Sequence, residues 1–494
     1  MRTDAAKVSV TPGREAGAGA LVVFLLDEER QLSHPASEAE RAFLERAAWA
    51  FSNPEVKSAV AGHGGASAPS MLALHRRAEA GVPDREAIRI LAARAVDHAR
   101  RFRLDEVVFR LAGAEGPSAA TPVAEGVVLG AYRFRRYFRD PGSAPPDAHL
   151  DVGDEAAGLT RGPVADAAHL GAEVNAARDL INEPAEAVTP EVLAVEAEKL
   201  GRDTSLEVSV WREAALREEG YAGLISVGQG SPRPPCLIVL RYRPEGHREG
   251  APHLALVGKG ITFDTGGISL KPPSKMWHMK GDMSGAAAVL SAMAHVGRMA
   301  PSAAVTGIIA AAENYVGPQA TRPGDIFRAK NGKSVMVDNT DAEGRLVLTD
   351  ALFRAGEEGA THIVDIATLT GAAVRALGPG VAAILGNDPG WVREVTEAGR
   401  AHGEAYWELP LVEEYRKELR CDSADLKNIG GINAGTITAA LFLSEFVPEG
   451  ATWAHLDIAG PFLVEKPWKY FTKGATGFGV RTLSETARRF AAGS

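Results

Sequence analysis

Cysteine is almost absent from the 494 residues: Cys236 and Cys421 are the two present, and they form no CxxC pair. That disfavours a disulfide framework and a thiolate zinc site alike, and it fits a reducing compartment. Long apolar runs are missing too. No stretch approaches the roughly 18 residues of a membrane span, and the opening MRTDAAKVSV has no apolar signal core. The expectation is therefore a cytoplasmic protein that does not enter membranes. Positive charge is in deficit, with a formal net charge of −9. This argues against a nucleic-acid platform spread over the whole surface and leaves a local basic patch open. Two catalytic signatures are also lacking, the HExxH helix and the GxSxG elbow.

What is present is an ordinary globular composition, 45% hydrophobic and 24% charged, on a chain long enough for two or three domains. ALVVFLL (20–26) reads as a buried strand, REAIRILAARAVDHARRF (85–102) as a helix, and residues 119–137 as a further helical segment. RDPGSAPPDAHLDVGDE (139–155) is rich in Pro, Gly and Asp and reads as a loop or linker, with a helix over 166–184 stopped by a proline. Later, apolar runs alternate with helical patterns. HLALVGKG (253–260), AVTGIIAAAEN (304–314), HIVDIATLTG (362–371) and TWAHLDIAG (452–460) are the clearest strands. Alternation of this kind predicts an α/β domain around a largely parallel sheet. The division falls near residue 165, giving domains of 1–165 and 166–494.

The chemistry gathers at the ends of those strands. In VGKGITFDTGG (257–267), Lys259 and Asp264 follow an apolar run, and Gly260 stands where a phosphate-binding loop needs Ser or Thr. Lys271 follows ISL, and Asp282 in MKGDMSGAAAVL heads a run of small helical residues. In NTDAEGRL (339–346), Thr340 and Glu343 match a capping box ahead of an apolar stripe. Arg345 does not fit that account, because a cation in a first helical turn opposes the dipole; an anion beside it would explain it. Taken singly, each acid reads as a solvated loop residue or a helix cap. Together Asp264, Asp282, Asp341 and Glu343 put four carboxylates near strand ends, where open α/β sheets build their sites. Such a set repels itself unless cations are present, and hard oxygen donors suit divalent metals. Two ions could share a bridging hydroxide and polarise a carbonyl or phosphoryl oxygen. Residue types and spacing stop at a two-metal hydrolase, with peptidase and phosphatase both open.

NTDAEGRL, preceded by VGKGITFDTGGISLKP and MKGDMSGAA, resembles the leucyl aminopeptidase family, peptidase family M17. The likeness continues through RPGDIFRAKNGKSVMV, DIATLTGA, DLKNIGG, AGTITAALFLSEFV, WAHLDIAG and GATGFGVRTL, from about Ala177 to Leu483. It implies two α/β domains, a smaller N-terminal macro-like one for assembly or regulation and a larger catalytic one around a mixed, largely parallel sheet. It implies two divalent ions per subunit, Mn or Zn, one held by Lys259, Asp264, Asp282 and Glu343. The other would be held by Asp264, Glu343 and Asp341, with the Asp341 carbonyl as a further ligand. Lys259 would be a neutral amine, far below its ordinary pKa. A metal-bridging water would attack, Lys271 would stay protonated and stabilise the oxyanion, and Arg345 with the free Leu346 amide would hold a bicarbonate ion that relays the proton. Met279, Asn339, Thr368, Leu369, Gly371 and Ala459, with Phe462 nearby, would line a pocket for Leu or Met. Substrates would be peptides with a free N-terminus, and the assembly a hexamer. A DNA-binding or regulatory role, which some bacterial relatives combine with peptidase activity, is the alternative. Two positions depart from the family pattern: Met336 replaces a glutamate, and Gly281 a larger residue. His455 reads as a packed core histidine and YRFRRYFR (132–139) as a solvated helix face.

Overall fold

The computed structural model describes residues 6–26, 35, 37–50, 59–62, 68–75, 84–111, 116–140, 142–248 and 250–493. Two compact units emerge, Met1–Asn175 with Glu465–Lys473, and Ala176–Val464 with Gly474–Ser494.

The first unit is built on a six-stranded sheet whose middle is the apolar strand Ala20–Leu26, paired in parallel with Ser70–His75 and Glu106–Arg110. Residues 139–155 are not simply a linker. Asp147–Asp151 pairs in parallel with Glu106–Arg110 on one side and Val8–Val10 on the other. Only Ala148 and Leu150 of its five residues are apolar, so it gives little apolar signal, and the two neighbouring strands select it. Buried Arg110 then binds Asp151 at 2.9 Å and Glu40 at 2.8 Å. The helix expected from 166 begins at Asp154 and runs to Asn182, carrying Pro163 inside it. The helix before it, Gly116–Ala131, ends ahead of YRFRRYFR, so that basic stretch is a turn and not a helix face.

The second unit holds an eight-stranded mixed sheet. Its centre is four parallel strands in the order Thr452–Asp457, His362–Ala367, His253–Asp264, Ala304–Asn314. Every residue of Ala304–Asn314 is buried, as is nearly all of His253–Asp264, which is why these strands read as continuous apolar runs: helices cover both faces. Antiparallel strands extend the sheet at each side, Cys236–Tyr242 against Ala304–Asn314 and Val381–Gly386 against Thr452–Asp457. All four central strands point their C-terminal ends to one edge, and the acids lie there. Among the described residues no helix is long and apolar enough to cross a membrane.

Candidate metal centre

Strand His253–Asp264 delivers two of the expected residues. Lys259 lies within it and is buried; its Nζ donates to the Thr368 carbonyl at 2.9 Å. Asp264 closes the strand. Between Ile261 and Asp264 the strand takes three steps while its partner takes two, from Ala312 to Asn314. A bulge of this kind re-aims a side chain beside a site. Here it sets Asn314 Nδ2 2.8 Å from Asp264 Oδ1 and 3.0 Å from the Thr340 carbonyl.

The loop that follows depends on glycine. Gly266 (φ +87°) and Gly267 (φ +67°) lie in the left-handed region, and a Cβ on Gly266 would sit 2.8 Å from Asp341 Oδ1. This turn brings Lys271 back over the site, 2.8 Å from Asp264 Oδ2 and 2.5 Å from Asp341 Oδ1. Asp282 arrives from a short 3-10 helix, Met276–Gly281, and its Oδ1 accepts the Thr368 hydroxyl at 2.8 Å. Its Oδ2 is 2.9 Å from Lys259 Nζ, and Glu343 Oε1 lies 2.8 Å from the same amine.

Thr340 and Glu343 do not form the expected capping box. The helix runs Gly344–Glu357, and no side chain caps it. The Thr340 hydroxyl donates to the Gly266 carbonyl at 2.6 Å and accepts from the Ser269 amide at 2.8 Å, while the Glu343 carboxylate turns to Lys259. The Leu346 amide is likewise not free; it donates to the Glu343 carbonyl at 2.9 Å. Arg345 is buried, and its Nη1 donates to the Asn428 carbonyl at 2.8 Å. Asn428 and Asn314 are further supports that no local sequence pattern singles out. Asn428 Oδ1 accepts the amides of Asp338 and Asn339, and its Nδ2 donates to the Asn339 carbonyl, fixing the turn that presents Asp341. The signal available was an asparagine closing an apolar strand and another inside DLKNIGG.

The expected pocket residues fall in three groups. Thr368 is tied to Asp282, and Asn339 Oδ1 accepts the Asp341 amide at 2.8 Å. Buried Asp457 accepts the amides of Leu369 and Ala459, holding those two segments to one carboxylate. Met279 is half-buried in the 3-10 helix, with its carbonyl accepting the Asp282 amide at 3.2 Å, and Gly371 is exposed at a helix start. Phe462 packs over Gly281, where a Cβ would come within 2.6 Å of the ring. Met336 is half-buried in the short strand Ser334–Met336.

Burial and charge oppose each other across this cluster. Burial and the other carboxylates hold Asp264, Asp282 and Asp341 above the usual carboxylate range. Burial pushes Glu343 in the same direction, but Lys259 and Lys271 outweigh it and lower its pKa. For both lysines burial favours the neutral amine, and the surrounding carboxylates overcome it, so each stands above its ordinary value. A neutral Lys259 therefore requires further positive charge among these acids. Burial lowers the pKa of Arg345 to about 10, which leaves it charged at neutral pH.

The residues fit such a charge. Single oxygens of Asp264, Asp341 and Glu343 lie within 4.8 Å of one another. Asp282 Oδ2, Asp341 Oδ1 and Glu343 Oε2 are buried with no hydrogen bond of acceptable geometry, even though lysine nitrogens stand near the first two. Buried acceptors left in this state ask for an ion or water, and a carboxylate set joined by one amine suits a divalent cation. Acids that could hold divalent ions, gathered at the C-terminal edge of a parallel sheet, are the arrangement of a metal-dependent α/β enzyme.

Comparison with known proteins narrows that class. The model of the cytosol aminopeptidase family catalytic domain matches residues 175–484. The probable cytosol aminopeptidase of Aquifex aeolicus is 42% identical over 400 residues, 80% of each chain. That of Geobacter sulfurreducens is 44% identical over 398 residues, 80% of this chain and 79% of its own. Among solved structures, the bottromycin maturation enzyme BotP in complex with Mn superposes with a TM-score of 0.82 at 34% identity, covering 95% of this chain and 99% of its own. The chain belongs to the cytosol aminopeptidase family, and it is a metal-dependent aminopeptidase of the leucyl aminopeptidase type.

Proposed function

We propose that the chain releases single residues from free peptide N-termini at a pair of divalent ions, Mn or Zn. Lys259, Asp264, Asp282 and Glu343 would hold one ion, and Asp264, Glu343 and Asp341, with the Asp341 carbonyl, the other. Bound there, the ions would supply Lewis acidity to the scissile carbonyl and acidify a water. The observation that carries this reading is the trio of buried, unbonded oxygens on Asp282, Asp341 and Glu343. The Mn in the similar BotP supports the choice of metal.

Lys271 keeps its proton among Asp264, Glu343 and Asp341 and is the most exposed cation of the cluster, 21% accessible. Its ammonium offers donors to an oxyanion forming above the carboxylates. Arg345 keeps its charge, and its Nε is buried without a partner, which suits a small planar anion such as bicarbonate. With the Leu346 amide engaged, the guanidinium carries that role. Met279, Asn339, Thr368, Leu369, Gly371 and Ala459 would receive the N-terminal side chain, with Leu or Met preferred.

The test compares leucine amide with its N-acetyl form, each before and after chelation and after Mn or Zn is restored. Acetylation removes the lone pair that a metal-held α-amine must offer. Only the free amine is expected to be cleaved, and only with metal present. Cleavage of the acetylated substrate at a similar rate would overturn the exopeptidase reading, and full activity of verified metal-free protein would overturn the metal centre.

A further inference from the structure

Within the first unit lies a cleft of about 390 Å³ between strand Ser70–His75, helix Asp84–Arg101, the end of helix Gly116–Ala131 and the segment from Pro467 to Thr472. None of its lining residues belongs to the carboxylate-lysine cluster. Arg94, Arg101 and Arg133 face it, and among the described lining residues Asp97 is the one carboxylate. Asp97 is already shared, 2.6 Å from Arg101 and 2.9 Å from Arg133. Lys469, also in the wall, is bound to Glu86 at 2.8 Å. The cleft thus keeps surplus positive charge in a chain whose net charge is −9. Burial makes Arg133 hold its proton less firmly than usual, against the opposing pull of Asp97 and with smaller contributions from Arg135 and Arg101. Past Ala131 the chain holds Arg133 by its own end, Nη1 donating to the Gly130 and Tyr132 carbonyls, while Nη2 reaches Asp97 on helix Asp84–Arg101 at 2.9 Å.

We propose that this cleft binds a small organic phosphate, with the phosphate on Arg94, Arg101 and Arg133 and an apolar or planar body against Leu74 and Phe471. Guanidinium groups match phosphate oxygens in charge and geometry. The volume falls in the range of about 300–1,000 Å³ that encloses small ligands. A concave, partly apolar cleft also fits such a ligand better than an extended duplex, which needs a basic strip.

Calorimetric titration of the full-length protein with AMP, inorganic phosphate and adenosine separates the charge from the body. AMP is expected to bind, phosphate about 10-fold more weakly, and adenosine more weakly still. Arg94→Glu, at an exposed position outside the catalytic cluster, is expected to weaken AMP by about 10-fold or more and to leave leucine amide hydrolysis unchanged. Arg101→Glu, also exposed, should act alike. No binding of AMP or phosphate, or AMP binding unaltered in both variants, would overturn the proposal. A short DNA duplex that binds the parent but neither variant, with AMP inert, would replace the small ligand by nucleic acid.

Discussion

Lys259 and Lys271 share the same carboxylates and differ in access. Lys259 is enclosed in a central strand with its nitrogen between Asp282 and Glu343, whereas Lys271 sits at the open side on Asp264 and Asp341. Enclosure suits a ligand, and access suits a group that meets substrate. Lys271→Ala is therefore expected to keep the metal content of the parent and lose on the order of 10²-fold or more in kcat, as for loss of an oxyanion donor. Asp264→Ala removes an acid assigned to both ions, so its metal content and activity should fall together. Elemental analysis beside steady-state kinetics reads both variants. If Lys271→Ala lost its metal as well, the assigned division of roles would fail.

Helix Gly344–Glu357 shows the same economy at the scale of an element. Its first residue is glycine because Lys259 lies against it: a Cβ there would come within 2.6 Å of Lys259 Nζ. An alanine within a helix is otherwise favoured over glycine by up to about 1 kcal/mol. Gly344→Ala is thus expected to melt close to the parent temperature while losing activity and bound metal, because the displaced amine is needed between Asp282 and Glu343. Parent-like activity with full metal would show that Lys259 can shift without consequence.

For the molecule as a whole, pH acts through the core as well as the site. His253 opens the central strand, and its Nε2 is 2.8 Å from Thr306 Oγ1. Burial first, then Arg243 and His247, lowers its pKa from 6.5 to about 4. A folded-state pKa below the unfolded one gives stability that is complete above about 6.5 and erodes as pH falls toward 4. The loss amounts to roughly 3 kcal/mol at most. His253→Gln keeps a partner for Thr306 without titrating. Melting temperatures of parent and variant should therefore converge or cross between pH 7.5 and 4.5, and a constant gap would exclude His253 as a source of acid sensitivity. The hexamer that the family resemblance implies is also tested at this scale. The full-length chain should sediment as a hexamer at micromolar concentration, and a monomer there would exclude that assembly.

By itself the sequence determined the α/β class, the four parallel strands at the heart of the second unit, and the family. Strands buried on both faces read as near-continuous apolar runs broken only where the site or a buried pair needs a polar group, and NTDAEGRL with its companion segments is too specific to arise by chance. Only the tertiary structure decided what non-local contacts select. Asp147–Asp151 becomes a strand because two partners offer it an edge, and 132–139 leaves its helix at Ala131. Thr340 and Glu343 abandon the capping box because the Gly266–Ser269 loop and Lys259 bind them more fully than a helix end would. Asn314 and Asn428 matter through hydrogen bonds that reach 50 and 89 residues along the chain. Local patterns carry propensity and burial. Which carboxylate meets which lysine depends on strand order and register, and no single segment contains that information.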